Sequence, residues 1–278
     1  MGNPTIPNNF LPPEAPPNVS SRRIDFTQTN PPLPGYAKYF AAVIDDILTP
    51  AECGALIDQA EASTTTNGNP SEPIWERAMI NIGSGKQALA TDTRNCGRII
   101  HDSPELASRL LARLQPFLRS HGLDTITDDT HVAGLRGRGK TYKLTRLNER
   151  LRFLKYEGEE YFRPHWDGRY TTPDGGEMSL YTIHVYLNGA GEQDLSELES
   201  ESQQRATDAT PNADVQGTLL GGATSFIPRY EEKETQVRVF PRTGSVLVFQ
   251  QNGLMHGGDP VVRGTKYTLR TDVMYAQV

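Results

Sequence analysis

Two kinds of hydrophobic pattern divide the chain. In residues 35–149 the apolar positions recur mostly at helical spacing. In "TPAECGALIDQAE" (49–61), Cys53, Leu56, Ile57 and Ala60 share one face of a 3.6-residue period. Thr49 stands as N-cap, Pro50 as first helical residue, and Glu52 completes a capping box. A second helix is predicted from Ser103-Pro104, with a stripe of Leu106, Leu110, Leu114 and Phe117 and a stop at Gly122. Ahead of both, "YFAAVIDDIL" (39–48) reads as a strand running into a turn. From residue 150 the pattern changes to short apolar or alternating runs between turn residues: "LRFLKY", "SLYTIHVYL", "ATSFIP", "TQVRVF", "SVLVFQ" and "KYTLRTDVMY". Helices first and strands after predict an α+β fold, with N-terminal helices buttressing a sandwich or barrel of jelly-roll type.

Two segments break the pattern. Residues 1–34 hold nine of the twenty prolines, which speaks against a ladder or a helix there and predicts an extended, flexible tail. The alternative is a strap that wraps its own domain or binds a partner. Residues 189–217 are polar and acidic, predicting a long surface insertion, either disordered or a lid. The chain therefore divides into a tail (1–34) and a single domain (35–278). Within that domain, 35–149 is a helical support region and 150–278 a jelly-roll core carrying the insertion.

Composition narrows the class. At 278 residues there is ample length to bury a core. The formal net charge of −6 speaks against a general nucleic-acid binder. The basic stretch "RGRGKTYKLTR" (136–146) is accordingly read as a solvated flexible loop. No apolar run approaches the ~20 residues that span a bilayer. The first residues show no secretory signal, and Ile6 stands where a myristoylation signal wants Ser or Thr. Cys53 and Cys96 are too few for a disulfide framework and are read as reduced thiols. A cytoplasmic or nuclear protein is expected.

The candidate chemistry starts in "YFRPHWDGRY" (161–170). On a strand, His165 and Asp167 would point to the same face, with Trp166 turned away. A His-x-Asp pair alone is half a metal site or an accident of composition. Of the remaining histidines, His101, His121 and His131 fall in the helical half or its connections and read as surface or capping residues. His256 follows "SVLVFQ" and precedes two glycines. Two His and one carboxylate form a facial set that leaves half of an octahedral iron open. A structural zinc would want four ligands, often Cys, and neither Cys is near. Ten residues after His256, Lys266 opens the last strand and shares a face with Thr268, Arg270 and Asp272. A cation beside a metal suggests an anchor for an anionic co-substrate. Arg270 is the rival anchor, and a solvated strand face is the alternative for both.

Together, "YEGEEYFRPHWD", "IHVYLN", "GGATSF" and "HGGDPVVRGTKYTLRTD" resemble the iron(II)- and 2-oxoglutarate-dependent dioxygenases, in particular the prolyl 4-hydroxylase-like branch. "FAAVIDDILTPAECGALIDQAE" is similar to the first strand and helix of that branch. The resemblance implies a double-stranded β-helix with His165, Asp167 and His256 as iron ligands and Lys266 on the C5 carboxylate of 2-oxoglutarate. It implies Tyr156 in the co-substrate pocket, with Thr182 and Tyr186 bonding the same carboxylate. His184 stands where an apolar residue is expected and would touch co-substrate or substrate. Gly221, Gly222 and Phe226 would be structural. The implied reaction hydroxylates a C–H bond with release of succinate and CO2, with ascorbate as candidate accessory reductant. Peptidyl proline, a small biosynthetic metabolite and a nucleic acid are the substrate classes weighed, the last not expected. A non-catalytic metal-binding jelly roll is the reading from outside the enzymes.

Overall fold

The computed structural model describes residues 6–7, 9–64, 73–83, 86–208, 214–232 and 235–278. Its elements are mostly antiparallel strands with few helices. Among the described residues a ten-stranded sheet runs in the order Ser20–Arg23, Ala41–Asp45, Val246–Gln250, Glu177–Tyr186, Lys266–Gln277, Arg150–Tyr156, Gly97–Asp102 and Glu76–Arg77. Thr141–Leu147 and Thr125–Thr127 branch from the far end of Lys266–Gln277. A five-stranded sheet, in the order Val237–Val239, Thr224–Phe226, His256–Gly258, Tyr161–His165 and Arg94–Asn95, faces it.

Strand parity sorts the large sheet into two faces. Ile44, Phe153, Ile183, Val248 and Leu269 pack outward, in one core with Leu56, Leu106, Leu110 and Leu114 of the helices. Val43, Leu247, Phe249 and Tyr186 pack inward against Phe226, Val237 and Val239 of the small sheet. Past that apolar patch the inner face turns polar. Thr182, His184 and Tyr186 lie opposite Asp272, Arg270 and Thr268, and Arg152 and Tyr156 lie opposite Arg270 and Lys266.

The helices form where their caps place them. Pro50–Ala62 begins with the Thr49–Glu52 capping box, and Pro104–Ser120 with Ser103 as N-cap. Arg113 ties them together: its Nη1 and Nη2 donate to the two oxygens of Glu52 at 2.9 Å each. Two free, buried cysteines stand in these layers, and burial pushes the Cys53 thiol up to about 12. No helix among the described residues is long and apolar enough to cross a membrane.

Four expectations are corrected. The described part of the Pro-rich segment is a strap, not a flexible tail. Leu11, Ile24, Phe26 and Leu33 are buried, and Ser20–Arg23 adds a strand to Ala41–Asp45. Prolines deny it a helix but leave carbonyls free, and helix arginines take these up. Arg109 donates to the carbonyls of Pro7 and Phe10, and Arg113 to that of Pro12. The acidic insertion forms a helix, Leu195–Asp208, whose Glu197 and Glu201 both pair with Arg263; residues 209–213 lie outside the described set. The basic stretch is only half loop, since Thr141–Leu147 is a paired strand. His101 lies on Gly97–Asp102 and is buried rather than at the surface.

Candidate active site

Antiparallel pairing brings the candidate ligands together. His165 ends one strand of the small sheet and lies directly opposite His256, which opens the next. Asp167 follows two residues after His165. One donor atom from each of the three falls within 4.8 Å of the others. Asp167 Oδ1 is 3.8 Å from His165 Nε2, and its Oδ2 is 3.7 Å from His256 Nε2.

The donors are aimed by hydrogen bonds to the protein. His165 Nδ1 donates to the carbonyl of Arg163 at 2.8 Å, and His256 Nδ1 to that of Leu254 at 3.1 Å. A carbonyl can only accept, so each Nδ1 carries a proton and each Nε2 is the ring atom left to face a metal. Phe162 stacks on the His165 ring at 3.7 Å, and Phe249 packs edge-on against His256 at 4.5 Å. Burial pushes the His256 pKa down to about 4 against the pull of Asp167, so the ring is neutral. Burial works against the charge of Asp167, but Arg270 and the two imidazoles outweigh it and hold the carboxyl well below its usual range. Two neutral imidazoles and a carboxylate suit a divalent iron or a similar metal.

Lys266 and Arg270 are treated differently by their neighbours. Arg270 Nη2 donates to Asp167 Oδ1 at 2.8 Å and reaches Asp272 at 3.3 Å. It therefore buttresses the candidate ligand and is no free anchor for a co-substrate. Lys266 is 2% exposed and pairs with no carboxylate among the described residues. Its Nζ lies 5.1 Å from the Tyr156 ring centroid and 5.9 Å from that of Tyr186. Burial lowers its pKa to about 8, partly offset by Asp259. Asn188 fixes the position of Lys266 by donating to the carbonyl of Thr265 and accepting from the amide of Tyr267. Gly222 leaves room beside it: its φ is +69°, and a Cβ there would lie 3.0 Å from Lys266 Cδ.

A cavity of about 590 Å³ joins these groups, lined by the three candidate ligands, Lys266, Arg270, Tyr156 and His184. Burial holds the Tyr156 hydroxyl protonated, with its pKa well above 10. His184 is held neutral by burial and by Lys266 nearby, and its Nε2 has no hydrogen-bond partner among the described residues. Two expectations shift here. Thr182 donates to Asp167 Oδ2 at 2.6 Å rather than into the cavity. Tyr186 donates to Thr224 Oγ1 at 2.8 Å, so Thr224 reaches the cavity wall in its place. Trp166 is 59% exposed at the rim.

Other wall residues were missed in the sequence: Arg94, Arg98, Arg152, Phe162 and Thr224. Arg152 did leave a signal, as a charge on the Leu154–Tyr156 side of a buried strand. Arg94 and Arg98 fall in "TRNCGRIIHD", a stretch assigned to no element, and left none.

No protein-family model and no curated protein matches the chain. Among solved structures it is similar to a viral collagen prolyl hydroxylase from Paramecium Bursaria Chlorella virus-1, described as a 2OG complex. That match has 18% identity, 85% of this chain, 96% of that chain and TM-score 0.44. It is also similar to a Trichoplax adhaerens prolyl hydroxylase in complex with a hypoxia inducible factor peptide fragment (13% identity, 88% and 86% covered, TM-score 0.49). A third is a Pseudomonas putida prolyl-4-hydroxylase (16% identity, 87% and 96% covered, TM-score 0.45).

Proposed function

We propose that this chain is an iron(II)- and 2-oxoglutarate-dependent dioxygenase on a double-stranded β-helix, of prolyl 4-hydroxylase-like type, hydroxylating a peptide or protein. One observation carries the reading: the His165, Asp167 and His256 donors open onto the same cavity as Lys266, a buried cation without a carboxylate partner among the described residues. A buried ammonium is costly unless an anion answers it. A non-catalytic metal-binding protein would have no use for that charge.

In this reading His165, Asp167 and His256 hold the iron. Bound iron, 2-oxoglutarate and O2 supply the oxidation, which yields succinate and CO2 and puts one oxygen atom on a substrate C–H. Lys266 binds the distal carboxylate of 2-oxoglutarate, and the protonated Tyr156 hydroxyl and neutral His184 line its site. Arg270 and Thr182 orient Asp167. Phe162 and Phe249 exclude water behind the imidazoles. A small metabolite in place of a peptide is the second reading, favoured by the charged wall around Arg98 and Arg152.

The test is anaerobic titration of iron(II)-loaded protein with 2-oxoglutarate, following the visible charge-transfer band of a chelated keto acid. The expected result is a band that is absent in His165→Ala. Iron binding without a band would remove the oxygenase reading. Succinate release would then be compared between prolyl peptides and small metabolites.

A further inference from the structure

The cavity wall carries more positive charge than one co-substrate needs. Lys266 answers one carboxylate, and Arg270 is occupied by Asp167. Arg98 remains. It stands on Gly97–Asp102 opposite Leu154, on the inner face, and lines the cavity. It is 5% exposed. Among the described residues its side chain makes one hydrogen bond, a long one of 3.4 Å to Gln87 Oε1, and its Nε finds no acceptor. No carboxylate pairs with it among the described residues; its cross-strand neighbour Glu76 forms no ion pair with it. Arg94, half-buried, lines the same wall with its guanidinium 4.6 Å from the Phe162 ring, and its Nε finds no acceptor among the described residues. Arg152, also on this wall, must share Asp272 with Arg270.

A buried guanidinium with a single long hydrogen bond and no carboxylate, as Arg98 has among the described residues, is unfavourable in an empty protein. Burial, with Arg94 adding to it, lowers the pKa of Arg98, the direction expected of a charge short of counter-charge. A planar guanidinium binds oxyanions through two parallel N–H bonds, which an amide such as Gln87 cannot replace. We propose that Arg98, supported by Arg94, is a second oxyanion subsite of this cavity and takes a carboxylate or phosphate of the substrate itself. The preferred substrate is therefore an acid, whether a metabolite or a peptide. What the anion orients rests on the oxygenase reading; anion binding itself does not.

The test is calorimetric titration with three probes: N-acetylproline, its neutral amide N-acetylprolinamide, and inorganic phosphate. Each is added anaerobically to protein loaded with iron(II) and saturating 2-oxoglutarate, and separately to metal-free protein. The expected result is at least tenfold tighter binding of N-acetylproline than of the amide, lost in Arg98→Gln, with the 2-oxoglutarate band unchanged. Phosphate binding more tightly than N-acetylproline, with the same Arg98 dependence, would support the subsite and identify its anion as a phosphate. A melting temperature of Arg98→Gln equal to or above wild type is also expected, because a purely structural arginine would lower it. Equal binding of acid and amide in the presence of a normal band would overturn the subsite and leave the oxygenase reading standing. An acid that binds only by displacing 2-oxoglutarate would also overturn it, by placing the anion at Lys266. If no band forms, the metal-free titration still decides the subsite.

Discussion

Lys266 and Arg270 lie four residues apart on one face of one strand and both line the cavity, yet among the described residues only Arg270 pairs with a carboxylate. Lys266→Met should raise the KM for 2-oxoglutarate roughly 100-fold, about 3 kcal/mol for a charge-assisted contact, with iron affinity unchanged. Arg270→Ala should instead weaken iron binding, because Asp167 loses its partner; steady-state kinetics and iron titration separate the two. A pH dependence follows from Lys266. Its pKa of about 8 in the empty protein lies below the ordinary 10.5. Affinity for 2-oxoglutarate should be flat below about pH 8 and fall about tenfold per unit above it. The stability of the empty protein should move oppositely, rising from pH 8 towards 10.5, since there the unfolded chain holds the proton that the folded one has shed. The grouping of the three candidate ligands was legible in the sequence, through the His-x-Asp spacing and a third His after a strand. The division of labour on the last strand was not. Parity puts both cations on one face and cannot say which one meets a carboxylate.

At the scale of elements, the strap and the first helix carry the clearest consequences. Removing residues 1–27 takes away Leu11, Ile24 and Phe26, each buried. At about 1.5–3 kcal/mol per large apolar side chain, stability should fall by several kcal/mol in urea denaturation. The edge of Ala41–Asp45 would also be bared, so self-association should rise. In the first helix, Thr49→Ala should cost about 1 kcal/mol as a lost cap. Glu52→Ala should cost about 3–5 kcal/mol, because it also strands the buried Arg113. Helix starts were readable because capping chemistry is local. The strap was not. Prolines announce an extended chain, but what an extended chain packs against is decided by residues a hundred positions away, such as Arg109 and Arg113. The small-sheet strands Tyr161–His165 and His256–Gly258 were also unread, because they are short and interrupted by Pro164 and two glycines.

For the whole molecule, charge is unevenly distributed. The chain totals −6, yet the cavity wall holds Arg94, Arg98, Arg152, Arg169, Lys266 and Arg270 against Asp167 and Asp272. Low-dielectric walls focus such a field towards the opening. Association of 2-oxoglutarate should therefore slow several-fold as ionic strength rises from about 0.01 to 0.15 M, with dissociation little changed. Stopped-flow measurement of the charge-transfer band checks this. A sum over the sequence cannot show it, since local sign depends on which strands become neighbours.

The hydrogen bonds around Asp167 have a consequence for how the protein would handle loss of the proposed metal. Both carboxylate oxygens and both imidazole Nδ1 atoms are already held by protein groups. The cage is thus assembled before its ion arrives, and ordering it takes little from the binding free energy. Demetallation should behave as the removal of a part from a finished fixture. Amide exchange in segments 161–167 and 254–258 should show the same pattern of protected sites with and without iron, and the emptied protein should reload without refolding.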